Sequence, residues 1–156
     1  MQANTSADLL RALNSALDTS MEWASRTEAS NALRSSRFCS EVGKLLPTTF
    51  ECDGKLLHIG FPDEGIKRLS GEWLLDAVVA KLDDDGFVTE VQAALECESS
   101  TATSEFARDF SKLLHVRAST KIYMQGLNQL THRATEAFIE KRLNMAATVV
   151  AKVDPY

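Results

Sequence analysis

The chain has 156 residues, of which 44% are hydrophobic and 25% are charged, with only 7 glycines and 3 prolines. This composition is typical of one globular domain with a sizeable core, and it excludes collagenous, disordered and disulfide-framework proteins. The net charge is −5, from 17 basic and 22 acidic residues. That balance argues against a surface that binds nucleic acid all round, but it permits an enzyme that contacts DNA through one local basic face.

No segment indicates a membrane span, an export signal or a zinc site. No apolar run approaches the roughly 20 residues that a membrane helix needs, and residues 1–8 lack the apolar stretch of a signal peptide. We therefore expect a cytoplasmic protein without membrane association. The three cysteines have no CxxC spacing and the three histidines are scattered, which argues against both a disulfide framework and zinc.

The first part of the chain predicts two helices. Leucines at helical spacing indicate a helix over Ser6–Leu17, followed by a break or bend at Asp18–Ser25. A second helical pattern runs over Thr27–Leu46, and we expect Pro47 to end it because proline cannot continue the hydrogen-bonded ladder.

Beyond Pro47 the pattern changes to that of strands. Thr49–Cys52 and Lys55–Ile59 flank an Asp-Gly pair, which is typical of a hairpin, and residues 60–71 are predicted as a loop. Two stronger strands follow, Glu72–Leu82 and Phe87–Ser99. The acidic segment Asp83–Gly86 between them predicts a tight turn, and its spacing lacks the alternate ligands and distal glutamate of a calcium loop.

The remaining segments predict a helix, a strand and a helix, at Ser100–Val116, Lys121–Leu127 and Thr131–Val150. We expect Thr101 or Thr103 to cap the first of these helices. The whole pattern predicts a single α/β domain over residues 1–156, with a mixed central sheet flanked by helices in the order ααβββαβα. Val153–Tyr156 resembles the start of another strand, which leaves open whether the native chain continues.

The candidate site lies on the two stronger strands. Asp76 falls within a run that is apolar on both faces, where a carboxylate is costly to bury unless it is paired or holds a cation. Side chains alternate along a strand, so Glu96 and Glu98 share one face of the next strand. If the two strands pair, the three carboxylates converge and repel one another unless a divalent cation such as Mg²⁺ or Mn²⁺ binds. The chemistry that follows is metal-assisted hydrolysis.

Three stretches resemble the PD-(D/E)xK superfamily of restriction-endonuclease-like nucleases: Gly71-Glu72-Trp73-Leu74-Leu75-Asp76, Ala94-Leu95-Glu96-Cys97-Glu98-Ser99 and Asp109-Phe110-Ser111-Lys112-Leu113-Leu114. The element order matches over residues 27–127. The resemblance implies a restriction-endonuclease-like core and magnesium- or manganese-dependent hydrolysis of nucleic acid, with DNA favoured over RNA. It assigns Asp76 and Glu96 to the metal, with Glu72 as an accessory acid.

One position departs from the superfamily pattern. The motif's lysine, which orients the attacking water, belongs at position 98, where this chain has Glu98. Some branches supply that lysine from the following helix, and Lys112 is the candidate here, on the same side of the helix as Asp109. The catalytic set implied by the resemblance is therefore Asp76, Glu96, Glu98 and Lys112.

Each of these residues also has a purely structural interpretation. Asp76 can cap a neighbouring loop, Glu96 and Glu98 can form the solvated face of an edge strand, and Lys112 can be a surface lysine paired with Asp109. An acid of the second helix, Glu41, can join a metal site or remain solvated. The basic residues near these segments can contact phosphates or solvent only: Arg34, Arg37, Lys44, Arg108, Arg117 and Lys121.

Two functions remain open from the sequence. The first is a magnesium-dependent nuclease or phosphodiesterase. The second is a catalytically silent nuclease-fold protein that serves as a binding module in a larger bacterial system. The acidic composition and Glu98 favour the second, whereas Asp76 and the neighbouring glutamates favour the first. A homodimer or a protein partner is also left open, although no heptad or exposed apolar stripe predicted from the sequence requires one.

Overall fold

A computed structural model of the chain describes residues 5–28, 30–49, 55–59, 75–127 and 129–153. Within them the fold is mixed α/β, and the predicted order ααβββαβα is confirmed. The elements are α1 (Thr5–Arg26), α2 (Asn31–Thr49), β1 (Lys55–Ile59), β2 (Ala77–Leu82), β3 (Val88–Glu98), α3 (Thr103–His115), β4 (Ala118–Gln125) and α4 (His132–Val150). None of these helices is both long enough and apolar enough to cross a membrane.

The four strands form one mixed sheet in the order β1-β2-β3-β4. β2 is antiparallel to both of its neighbours, whereas β3 and β4 are parallel. Parallel neighbours need a crossover connection, and α3 supplies it. The register of the parallel pair sets Glu96 beside Tyr123 and Glu98 beside Gln125.

The sheet is covered on both faces, and the predicted alternation is confirmed over the last part of β3, from Ala93 to Glu98. Ala93 and Leu95 belong to the core beneath α1 and α2, which includes the fully buried Ala16 and Val42. Ala94 packs on the opposite face with Leu113 of α3. Ala94, Glu96 and Glu98 therefore face α3, whereas an irregular register between Val91 and Ala93 interrupts the alternation earlier in the strand.

The predicted break in the first helix is wrong, because α1 continues through Asp18–Ser25. Its hydroxyl side chains bond to the helix's own carbonyl oxygens, with Thr19 Oγ1 donating to Ser15 O and Ser20 Oγ to Leu17 O, each at 2.9 Å. These bonds accommodate polar residues in a continuous helix.

The second helix begins and ends later than predicted. Ser30 determines its start, since the Ser30 hydroxyl accepts a hydrogen bond from Leu33 N at 3.3 Å, as a helix cap does. The helix ends at Thr49, two residues beyond Pro47. A proline in the last turn costs one ladder hydrogen bond without preventing the next residues from staying helical.

The strand predictions are partly confirmed. β1 occupies the predicted Lys55–Ile59, but Thr49 ends a helix, and the proposed Asp-Gly turn lies outside the described residues, as does Glu72. Asp76 is not inside β2 as predicted. It lies in a bend that immediately precedes the first strand residue, Ala77.

The acidic turn between β2 and β3 is confirmed. Gly86 adopts a φ of 88°, a conformation that side chains with a Cβ rarely tolerate. The Asp83 carboxylate accepts hydrogen bonds from the backbone N–H groups of Asp85, at 3.1 Å, and Phe87, at 2.8 Å. It therefore serves the turn itself.

The two last helices differ from expectation in how they start and what they bury. Ala102 is the N-cap residue of α3, in place of the predicted threonines. The cap of α4 is Thr131, whose side chain accepts from Ala134 N at 3.2 Å. Leu143 of α4 is 64% exposed despite its apolar side chain. The buried residue of α4 is instead Arg142.

Arg142 joins α4 to the start of α3. Its Nη2 atom donates to Thr101 O at 2.6 Å, and its Nη1 atom lies 3.3 Å from the Thr103 hydroxyl. The guanidinium also stacks on Phe106 and Phe138, at 4.8 and 4.9 Å from the ring centroids. A guanidinium with these partners can be buried because its charge is shared with oxygens and aromatic faces.

We expect Leu95→Ala to lower the free energy of unfolding by about 3 kcal/mol, since Leu95 is fully buried in a central strand and its truncation leaves a cavity. The matched control is Leu130→Ala, at a fully exposed leucine, which should change stability by less than about 0.5 kcal/mol. Urea unfolding followed by circular dichroism measures both. Equal effects of the two changes would contradict the described core.

Candidate active site at the end of strand β3

Glu96 lies near the end of β3, on the face covered by α3, and is only 3% exposed. A buried carboxylate of this kind needs a charge partner. Lys112 of α3 provides it, with Nζ 2.7 Å from Glu96 Oε1. The predicted approach of the helix lysine to Glu96 is therefore present.

Asp109 holds the same amine from the other side. Its Oδ1 atom lies 2.9 Å from Lys112 Nζ, one helical turn away along α3, and the residue is 4% exposed. Asp109 and the Lys112 amine, on the polar side of α3, therefore border the sheet at this level. Lys112 bridges two buried acids that come from different elements.

Glu96, Lys112 and Asp109 all have pKa values shifted from their usual ranges. Burial raises the pKa of Glu96 to about 7, a shift that the Lys112 hydrogen bond opposes and the nearby Asp76 charge reinforces. Desolvation lowers the pKa of Lys112, but its bonds to Glu96 and Asp109 outweigh that effect and leave the pKa above its usual value. Burial also acts to raise the pKa of Asp109, yet its bonds to Lys112 and Arg108 bring it below the ordinary range.

Asp76 approaches the site from the bend before β2. Its Oδ2 atom accepts a hydrogen bond from the backbone N–H of Cys97 at 2.8 Å, so it secures the end of β3. Its negative charge is close enough to raise the pKa of Glu96. Asp76 thus makes a structural hydrogen bond, which agrees with a structural role for this residue, and it also lies beside Glu96.

Glu98 belongs to a neighbouring network and not to the lysine bridge. One of its carboxylate oxygens accepts from Ser100 N at 2.6 Å, and the other lies 3.9 Å from Arg108 Nη2. Arg108 also pairs with Glu105 and, at 3.1 Å, with Asp109. Oxygen atoms of Glu98, Glu105 and Asp109 lie within 4.8 Å of one another.

The other basic residues near the predicted site have local partners. Arg108, proposed for phosphate contact, is held by the three acids just described, and Lys121 donates to Leu114 O at 3.0 Å.

On α2, Glu41 lies 2.6 Å from Arg37 and 3.3 Å from Lys44, so these three form an ion-pair cluster of their own. This arrangement favours the structural interpretation of Glu41.

Tyr123 is a site residue that the sequence analysis missed. It lies beside Glu96 in the parallel register, and its ring meets Phe106 and Phe110 of α3 edge-on. Its hydroxyl is buried and has no hydrogen-bond partner among the described residues. Burial, reinforced by the charges of Asp109 and Glu98, raises the pKa of Tyr123 above its usual value. The sequence offered one indication of this role, which is the position of Tyr123 in the predicted strand Lys121–Leu127.

Cys97 is half-buried and lies on the other face of β3 from Glu96. A hydrogen bond between the thiols of Cys39 and Cys97, together with burial, raises the pKa of Cys39 well above its usual range. Both cysteines are free. This contact ties α2 to the strand that carries Glu96.

Comparison with protein-family models, with curated proteins and with solved structures finds no match to this chain. What the site can do must therefore be argued from its own chemistry. Five carboxylates surround two cationic side chains, Lys112 and Arg108. An excess of hard oxygen donors at a partly buried position suits a divalent cation better than further protein amines.

The raised pKa of Glu96 predicts a pH-dependent stability. Between pH 4.5 and about 7 the folded protein retains a proton that the unfolded chain has lost, so the free energy of unfolding falls as pH rises through this window. The full loss amounts to about 3 kcal/mol. Glu96→Gln removes the titration, so the difference between wild type and variant should change by that amount from pH 4.5 to 8.

Urea unfolding at a series of pH values measures this difference. Glu90→Gln is the matched control, because Glu90 is a glutamate of the same strand whose side chain is 46% exposed and pairs with Lys81. Its profile should run parallel to that of the wild type. A Glu96→Gln profile that is also parallel to the wild type would show that Glu96 titrates normally.

Proposed function

We propose that the protein is a magnesium- or manganese-dependent nuclease with a restriction-endonuclease-like core. The observation that carries this proposal is the 2.7 Å approach of Lys112 to Glu96. Position 98, where the superfamily motif has lysine, is a glutamate, so a lysine must reach the acids from elsewhere. Lys112 does so from α3. The mixed sheet, with β2 antiparallel to its neighbours and α3 crossing between β3 and β4, supports the resemblance.

The proposal assigns a divalent cation to the buried acids beside Lys112. Asp76 and Glu96 would hold it, because Glu96 is buried beside a second negative charge and shares its amine with Asp109. Glu72, the proposed accessory ligand, lies outside the described residues. When bound, such a cation supplies a more acidic water and offsets negative charge on the phosphate.

The protein's own side chains divide the remaining work. Asp109 fixes the Lys112 amine, which keeps it protonated and directed at Glu96. A protonated amine there can orient a water and donate a hydrogen bond to a phosphate oxygen. Glu98 and Glu105 hold Arg108 next to this position, where its guanidinium can meet a second phosphate.

A specific observation favours the second candidate, a silent binding module. Lys112 and Arg108 are both engaged by acids, so the site is closed by its own ion pairs. In a silent protein these pairs would serve stability alone. Metal binding and cleavage distinguish the two proposals.

Calorimetric titration with Mn²⁺ should show saturable binding that is lost in Asp76→Asn and Glu96→Gln and kept in the control Glu90→Gln. Lys112→Met should retain the metal, because an amine is not a ligand, yet lower cleavage of plasmid DNA by about 100-fold or more. Lys81→Met, at an exposed lysine of β2, should leave cleavage unchanged.

Two results would overturn the enzyme proposal. The first is the absence of saturable Mn²⁺ or Mg²⁺ binding up to about 10 mM, a concentration above the weakest oxygen-ligand sites. The second is metal binding without any cleavage of plasmid or oligonucleotides by the wild type. The second result would leave the silent binding module as the remaining candidate.

A further inference from the structure

One side of α1 carries an exposed apolar stripe. Leu10, Leu17 and Met21 are 61%, 43% and 62% exposed, and Asn14 is exposed between them. Their spacing of four, three and four residues is that of alternating a and d positions in a heptad. Ala7 and Ala24 continue the same spacing at both ends. The stripe forms because α1 is continuous, and a break at Asp18–Ser25 would have separated its two halves.

The stripe is self-complementary in an antiparallel arrangement. A two-fold axis that passes midway between Asn14 and Leu17 relates the two copies of α1. Leu10 then packs against Met21 of the second copy, and Asn14 packs against Leu17 of the second copy. Along one edge of the stripe, Arg11, which also pairs with Asp8 of its own helix, then lies opposite a position two residues from Asp18 of the second copy. Symmetry repeats this contact, which gives two pairs of opposite charge across the interface.

We propose that α1 is a homodimer interface in which the stripe of Leu10, Asn14, Leu17 and Met21 packs antiparallel against the same stripe of a second copy. The sequence alone predicted no heptad or exposed apolar stripe that requires a dimer, and α1 presents such a stripe. The proposal is independent of the nuclease activity, since α1 and the Glu96 site lie on opposite faces of the sheet.

α4 offers a competing surface, with Ile139, Leu143 and Val150 exposed by 40%, 64% and 50%. Two-fold pairing of that stripe sets Glu140 opposite Ala147 and creates no pair of opposite charges. Charge complementarity therefore favours α1, and the two helices can be separated by experiment.

The test is sedimentation velocity of the full chain over a range of concentrations. We expect the wild type to form a dimer. Leu10→Lys should raise its dissociation constant at least about 100-fold, because the two-fold symmetry places two lysine charges in the packed interface. The matched control Leu143→Lys, at an equally exposed leucine of α4, should leave the dimer intact. Because Leu10 and Leu143 are both exposed, we expect the two variants to fold, and circular dichroism checks this.

Charge exchange tests the orientation. Arg11→Asp and Asp18→Arg should each weaken the dimer about tenfold or more by setting like charges together, and the double exchange R11D/D18R should restore it. A monomer at all concentrations overturns the proposal. So does a dimer lost in Leu143→Lys but kept in Leu10→Lys, or a double exchange that fails to restore association.

Discussion

The ion pair between Lys112 and Glu96 is the interaction on which the site depends. It joins α3 to β3 at a point where both partners are largely removed from water, and Asp109 holds the amine from the helix side. Burial outweighs the attraction of the lysine at Glu96, which is why the pKa of this acid rises to about 7. The ion pair therefore contributes less to stability than to the position of α3 on the sheet, since a movement of α3 away from β3 would leave Glu96 buried without its lysine.

The fold places this pair through the connection between β3 and β4. Parallel strands require a crossover helix, and α3 supplies one whose inward side passes over Ala94 and Glu96 near the end of β3. Arg142 of α4 holds the start of α3 by donating a hydrogen bond to Thr101 O. Asp76 holds the end of β3 by accepting a hydrogen bond from Cys97 N. The same contacts that hold the sheet and helix together thus set the distance between the lysine and the acids.

Local pattern predicted most of the architecture and part of the site. The element order and the alternation that sends Glu96 and Glu98 toward α3 follow from periodicity alone. The partner of Glu98 could not be predicted in this way, because Arg108 reaches it only once α3 has docked. The place of Asp76 outside β2, the continuity of α1 and the burial of Arg142 likewise depend on tertiary contacts that no spacing rule expresses.

A crystal grown with Mn²⁺, with diffraction recorded at the manganese absorption edge, tests directly whether Asp76 and Glu96 hold a metal. We expect one anomalous peak contacted by carboxylate oxygens of Asp76 and Glu96, with the Lys112 amine beside it and still bonded to Asp109. A peak among Glu98, Glu105 and Asp109, or a Lys112 side chain turned to solvent with no peak at Glu96, would contradict it.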